Sequence, residues 1–315
     1  MQSSWKESIY LQREQLGRLL HEPLAKLAGR CLTAWGERES LNAVLGEHFD
    51  EVPHCTALYC LGPEGVQICD NVTAAGCDLS HFGRDRSQRP YMQEAVPTWG
   101  FLLSDAYISL YKNRPSLTAL QLVHDGVAVL GYVGADFDLR DLPVTAALYE
   151  ETGEWRQVKG DPSIRGALFQ QHRIDSSMDR ALTQSLAILE ELLTNRGVFQ
   201  CQIHFSSSQA TIWTEDDPFR YRILDQEALG DPDICLVYPA CPYPSGAAIP
   251  EAEIRRILDI LRELRLADEN IYLRQSSINI FNGMVSLTFS CDGTHYMHYD
   301  EFLNKDIAFW FGTAG

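Results

Sequence analysis

No stretch of this chain approaches the ~18 consecutive apolar residues that a membrane-crossing helix needs. The N-terminus, Met1-Gln2-Ser3-Ser4-Trp5-Lys6-Glu7, also lacks the apolar core of an export signal. A chain of this kind is expected to be neither exported nor membrane-spanning, and its Asn71-Val72-Thr73 sequon then has no meaning as a sugar acceptor. There is no Cys-x-x-Cys pair. The nine cysteines (Cys31, Cys55, Cys60, Cys69, Cys77, Cys201, Cys235, Cys241 and Cys291) are odd in number, which points to free thiols in a reducing cytoplasm. Cys60, Cys69 and Cys235 stand in apolar runs, where cysteine serves as a small buried hydrophobe. Positive charge is scarce: 26 Lys and Arg face 43 Asp and Glu, a formal net charge of -17. That excludes nucleic acid and anionic membrane surfaces as expected partners, because both require clustered cations. An anionic ligand would have to be captured by a local, buried cation, since the overall field repels it. No HExxH, P-loop, G-x-G-x-x-G or G-x-S-x-G motif occurs, and no low-complexity tract or long charge run interrupts the chain.

What is present is an ordinary globular mixture, 45% hydrophobic and 22% charged, over 315 residues, enough for two domains. Ile9, Leu16, Leu19, Leu20, Leu24, Leu27, Cys31 and Trp35 recur near a 3.6-residue period and predict a long N-terminal helix, with Pro23 as a point of bending. Leu41, Val44, Leu45 and Phe49 predict a second, short helix. The period then changes, and 56–61 and 66–69 read as a hairpin around Gly62-Pro63-Glu64-Gly65. Strands 116–123 and 127–137 close this half around His124-Asp125-Gly126. Helices followed by consecutive hairpins predict an α+β fold, an antiparallel sheet with helices packed on it. Met178 to Leu193 reads as an amphipathic helix joining the halves. The second half repeats the α+β style, with strands at 199–205, 210–213 and 234–238, a helix beginning near Pro250, and a final hairpin with a type I′ turn at Asn282-Gly283. The expected domains are 1–175 and 176–315, and no sequence repeat links them.

Three segments carry chemistry. The first is Gly83-Arg84-Asp85-Arg86-Ser87-Gln88-Arg89-Pro90-Tyr91, the second Leu103-Ser104-Asp105-Ala106-Tyr107-Ile108-Ser109. The third is Gly131-Tyr132-Val133-Gly134-Ala135-Asp136-Phe137-Asp138-Leu139-Arg140-Asp141-Leu142. A guanidinium on a short loop presents a planar fork that matches a carboxylate, and Arg89 is the choice for that role. Tyr91 and Tyr107 offer apolar walls with one polar tip each, and Asp136 offers an acceptor for a ligand amine. In order and spacing these segments resemble the Cache family of sensor domains (PDC sensors, PAS-like). Members carry an Arg-Pro-aromatic turn, a Ser-Asp-x-Tyr strand and a Gly-x-Asp-x-x-Leu-x-x-Leu strand end. The resemblance is close over 81–143 and looser over 1–145. It implies a long N-terminal helix with a PAS-like antiparallel sheet. It also implies Arg89 as the carboxylate-binding arginine, Tyr91 and Tyr107 as pocket aromatics, and Asp136 as the amine-binding aspartate, with Asp105 in the second motif. Two positions depart from the amino-acid-binding branch: Met92 replaces a second aromatic and Arg84 an upstream tyrosine. The second arginine would favour a more negative ligand, such as a dicarboxylate.

Each of these residues also has a plain structural reading, an exposed arginine in a packed turn or an aspartate capping backbone amides. Their joint spacing favours a pocket. Other candidates are weaker. In an extended strand His295 and His298 would point to opposite faces, wrong for sharing one metal ion. Ser206-Ser207-Ser208 reads as a hairpin loop, and Glu215-Asp216-Asp217-Pro218 as an acidic turn. The expected function is therefore a cytoplasmic, non-enzymatic sensor, without cofactor, that binds an amino acid or organic acid and informs a signalling protein. A homodimer packed through the long helix is expected with it. The alternatives are an adaptor module with an empty pocket, or an enzyme whose site lies in the C-terminal half.

Overall fold

Leucines four residues apart build the first element. In the computed structural model, which describes residues 5–93, 100–110, 112–145, 172–291 and 293–311, helix α1 (Trp5–Cys31) runs uninterrupted through Pro23. Leu16, Leu20, Leu24, Leu27 and Cys31 form its fully shielded stripe, packed on strands of the first sheet. Each such leucine contributes about 1.5–3 kcal/mol by burial. Helix α2 (Arg38–Glu47) buries Leu41 and Leu45 in the same way. The described residues fall into two units, 5–145 and 172–311. Residues 172–175, expected to close the first domain, belong with the second, where the backbone N–H of Arg173 bonds to the carbonyl of Glu269.

The first unit is built on an antiparallel sheet of β1 (Ala57–Leu61), β2 (Asn71–Thr73), β3 (Gly76–Asp78), β4 (Phe101–Leu103), β5 (Tyr107–Ile108), β6 (Pro115–His124) and β7 (Val129–Asp138). The order is β3-β2-β1-β7-β6-β4, with β5 also on β6, so the first and last strands meet at the centre, as in a PAS-like sheet. The short helix α3 (Pro90–Gln93) follows the arginine-rich loop. The hairpin expected to run directly from β1 into 66–69 is looser than its sequence suggests. Those residues keep a bridge from Leu61 to Gln67, the bond from the Gly62 N–H to the Val66 carbonyl and one backbone bond from Ile68 to Cys60, and the strand that pairs with β1 on this side is β2, with Leu58 opposite Val72. The cause is local: the Cys60 N–H is taken by the sulfur of Cys69 at 3.0 Å, and the Gln67 amide turns back onto the Cys69 carbonyl at 2.9 Å.

Gly134 on β7 lies opposite Tyr59 on β1. A Cβ at this position would stand 2.3 Å from the Tyr59 ring, and that ring is fully buried. The missing side chain is thus what lets the tyrosine lie flat across the strand. Gly134→Ala is expected to lower the stability of the unit by about 1–3 kcal/mol through overpacking. Urea denaturation measures this, and a loss below a few tenths of a kcal/mol would show that the ring can move aside freely.

In the second unit, helix α4 (Ser177–Arg180) opens with a capping box between Ser176 and Asp179, and α5 (Leu182–Asn195) follows. The expected single helix is thus broken at Ala181. A six-stranded sheet follows, from β8 (Val198–His204), β9 (Gln209–Thr214), β10 (Asp217–Leu224), β11 (Leu273–Asn279), β12 (Met284–Phe289) and β13 (Thr294–His298). Its order is β10-β9-β8-β11-β12-β13. Helices α6 (Gln226–Leu229) and α7 (Glu251–Leu266) lie between the two strand triplets. A helix followed by a three-stranded meander therefore occurs twice, joined where β8 meets β11 antiparallel. The rhythm of burial is the same in β8 and β11, and again in β9 and β12. The duplication lies in geometry and apolar rhythm more than in residue identity.

Two expectations are corrected here. The apolar run 234–238 lies mostly in a buried 3-10 segment, Pro232–Val237, and not in a strand; Pro232 starts it and the Asp231 carboxylate caps the Asp233 N–H. Short buried apolar runs carry no period that separates helix from strand. The Asn282-Gly283 turn is also not type I′. Of the pair only Gly283 has positive φ, at 73°, and the Asn279 side chain accepts from the N–H groups of Phe281 and Asn282, which winds the loop into a helical turn first.

Candidate functional site

The site begins with register. Thr118 on β6 lies opposite Asp136 on β7, and Tyr59 on β1 lies opposite Gly134, so Thr118, Asp136 and Tyr59 share one face. Asp136 Oδ1 accepts from the Tyr59 hydroxyl at 2.8 Å and the Thr118 hydroxyl at 2.7 Å. With the Thr118 proton committed there, Tyr107, whose hydroxyl is 2.6 Å from Thr118 Oγ1, is the donor in that contact. Burial, and then the charge of Asp136, push the Tyr59 and Tyr107 phenols well above their ordinary pKa, so both remain neutral donors.

The arginine-rich loop supplies the facing wall. It runs extended beside 65–67: Gln67 N–H bonds to the Arg84 carbonyl and Arg86 N–H to that of Gly65, both at 2.9 Å. Alternation along this stretch sends Arg84 and Arg86 to one side and Asp85 to the other. Arg86, only 6% exposed, is the centre of the site. Its Nε donates to Gln67 Oε1 at 2.8 Å, Nη2 to Asn71 Oδ1 at 2.9 Å and Nη1 to the Tyr91 hydroxyl at 3.3 Å. The guanidinium lies 3.8 Å over the Tyr59 ring, and Nη1 is 3.7 Å from Asp136 Oδ2. Burial works against its charge, but Tyr59, Asp136 and Tyr91 outweigh that and hold its pKa above the ordinary arginine value. The chain then turns at Pro90, turning the buried Tyr91 inward with its ring centre 5.9 Å from that of Tyr107.

These residues enclose a cavity of about 140 Å³. Arg84, Arg89, Tyr91, Tyr107 and Asp136, five of the residues expected from the sequence, line it. Asp105 does not: its side chain is 79% exposed and paired with Arg13 of α1 at 2.7 Å. Its neighbour Ser104 points inward, accepting the Thr118 N–H, so alternation turns Asp105 outward. Met92 lies beside Gly65, outside the lining. Arg89 is half-buried, and among the described residues its guanidinium has no hydrogen-bond or ion-pair partner. At the mouth, Arg84 Nη1 is 3.3 Å from His81 Nδ1. A guanidinium only donates, so the His81 proton sits on Nε2, which faces Asp78 at 3.4 Å. Burial, then the charge of Arg86, lower the His81 pKa and keep this ring neutral. Lys112 completes the cationic rim.

Arg86 is the buried cavity-lining side chain that motif reasoning does not single out. Its signal was the polar pair Gln67 and Asn71 placed among apolar strand residues, which needs a buried donor to satisfy it. Among the described residues no group of three His, Cys, Asp or Glu is arranged to hold a metal, and no helix is long and apolar enough to cross a membrane. His298 is hydrogen-bonded to Asp300 at 2.6 Å, whereas His295 packs against Phe289.

No family model and no curated protein matches the chain. Solved structures that resemble it over part of its length include sensory and ligand-binding domains and the Bacillus subtilis YkuI protein, with an EAL domain, 20% identical, TM-score 0.32, over 42% of this chain and 33% of that one. One is an extracellular ligand binding receptor from Desulfohalobium retbaense, 14% identical, with a TM-score of 0.35 over 42% of this chain and 25% of that one. Another is the sensory domain of the Campylobacter jejuni chemoreceptor Tlp3 with isoleucine bound, 14% identical, TM-score 0.35, over 43% of this chain and 56% of that one. A third is the ligand-binding domain of the Pseudomonas aeruginosa amino acid chemoreceptor PctC in complex with GABA, 14% identical, TM-score 0.32, over 43% and 60%. The match thus spans between a quarter and three-fifths of these structures.

Proposed function

We propose that residues 5–145 form a sensor module that acts by binding, not by catalysis, and takes a small ligand through a carboxylate held by Arg89. One observation carries this reading. A half-buried guanidinium without a protein partner among the described residues faces a cavity walled by Tyr91 and Tyr107. An unpaired charge of this kind is costly unless a counter-ion completes it. The nine free thiols fit a cytoplasmic location. The outer face of α1, where Tyr10, Leu11 and Leu19 are exposed, is the surface we assign to a homodimer or to a signalling partner.

Thermal denaturation of the purified chain against amino acids and organic acids tests the reading. At 100-fold over its dissociation constant a ligand stabilises by about 2.7 kcal/mol. Arg89→Ala is expected to weaken binding roughly 10- to 100-fold, the worth of one charge-assisted contact, while leaving the unliganded melting temperature nearly unchanged. If no carboxylate shifts the melt, the reading fails.

A further inference from the structure

The cavity is richer in donors than a zwitterion needs. Its lining holds four fixed cations, Arg84, Arg86, Arg89 and Lys112, against two carboxylates, Asp78 and Asp136. His81 is neutral, so two positive charges stay uncompensated in a chain whose net charge is -17. Among the described residues Lys112 has no ion-pair partner, and the hydroxyl of the buried Tyr91 accepts from Arg86 while its own proton has no acceptor. Arg89, Lys112 and Tyr91 thus offer donors that no protein group among the described residues receives.

Asp136, meanwhile, is poorly placed to receive an ammonium group. One of its oxygens already accepts two hydroxyl protons, and the other faces Arg86 Nη1 at 3.7 Å. A ligand cation brought to Asp136 would stand beside that guanidinium and be repelled by it. The protein's own arginine occupies the place where an amine would otherwise be neutralised.

Resting on the carboxylate-binding reading above, we infer that the preferred ligand is a small organic dianion without an ammonium group. Its second anionic group would lie toward Arg84 and Lys112 at the mouth. Dicarboxylates carry this chemistry, one carboxylate on Arg89 and the other toward the mouth, since a guanidinium fork fits each oxygen pair.

Calorimetric titration of the full chain with matched compounds tests the inference: glutarate against GABA, succinate against alanine, butyrate as a monoanion, and glycerol phosphate with inorganic phosphate as the phosphoryl arm. The dianions are expected to bind at least about tenfold more tightly than their zwitterionic and monoanionic counterparts, as one additional charge-assisted contact requires. Arg84→Gln and Lys112→Gln, both at exposed positions, are expected to remove most of that advantage without changing the melting temperature of the free protein. Tighter binding by glutarate and succinate assigns a dicarboxylate, whereas binding by glycerol phosphate alone overturns the carboxylate reading and the inference with it. Should GABA or alanine bind more tightly than its dianionic partner, the dianion inference is overturned while the carboxylate site stands. If no compound of any charge binds, both are overturned.

Discussion

Replacing Arg265 with methionine is expected to destabilise the second unit by about 3–5 kcal/mol, the usual effect of breaking a buried ion pair from one side. Arg265 has no solvent exposure. Its Nε and Nη2 donate to the Asp179 carboxylate at 2.8 and 2.7 Å, and Nη1 donates to the Leu273 carbonyl at 2.9 Å. One side chain therefore ties α7 to the capping box of α4 and to the first residue of β11. Methionine fills much of the volume but leaves the Asp179 carboxylate, 3% exposed, without its hydrogen-bonded counter-charge and with Arg173 Nη1, at 3.9 Å, as its remaining ion-pair partner among the described residues. Burial alone would raise the Asp179 pKa; the bonds from Arg265 and the Ser176 N–H outweigh it and hold the pKa below its ordinary value. A carboxylate with a depressed folded pKa adds stability that is fully present above the unfolded value, near 3.9, and lost as pH falls through the folded value. The gap between wild type and variant in urea melts is thus expected to be full at neutral pH and to narrow below about pH 4. The double substitution Asp179→Leu with Arg265→Met should recover much of the loss, because it removes both charges together. A single-variant loss under 1 kcal/mol would mean that water reaches the pair.

The expectation of two α+β units rested on periodicity, and the long leucine stripe of α1 and the paired strands β6 and β7 show why that was enough: their side chains report burial directly. The cavity was legible where chemistry sits in contiguous motifs. Arg89-Pro90-Tyr91 and Asp136 fall where spacing placed them, because a proline turn and a strand end are local devices. Asp105 and Arg86 were not legible for a common reason. Whether a charged side chain faces a pocket depends on the alternation of the strand carrying it, and Asp105 follows an inward-facing serine. Arg86 takes its meaning from Gln67 and Asn71, residues 19 and 15 positions away, and no periodicity connects them. The repeat within the second unit is not legible in the sequence for a related reason: its two copies agree in which positions are buried, while β8 and β11 hold different residues there.

Arg86→Met is expected to change what the cavity prefers, beyond weakening it. The substitution removes the bonds to Gln67, Asn71 and Tyr91 and the cation resting on Tyr59. Asp136 is partly exposed, 26% at the side chain, so water softens the loss, and a stability decrease of about 2–3 kcal/mol follows from unsatisfied buried partners. Arg89→Ala, by contrast, should alter stability by less than about 0.5 kcal/mol, since among the described residues it breaks no hydrogen bond or ion pair. The instructive effect is on specificity. With Arg86 gone, Asp136 keeps the hydroxyls of Tyr59 and Thr118 but loses its counter-charge, and its second oxygen becomes free to accept from an ammonium group. Dianion affinity should fall, while GABA and alanine should bind as well as before or better, because the repulsion that excluded their amines has been removed. A lysine at the same position restores the charge without the planar fork, so Arg86→Lys is expected to keep the preference for dianions at reduced affinity. Calorimetry on the three proteins decides the matter: equal losses for dianions and zwitterions in Arg86→Met would make Arg86 a structural support for the cavity, and opposite shifts would make it the residue that sets ligand charge.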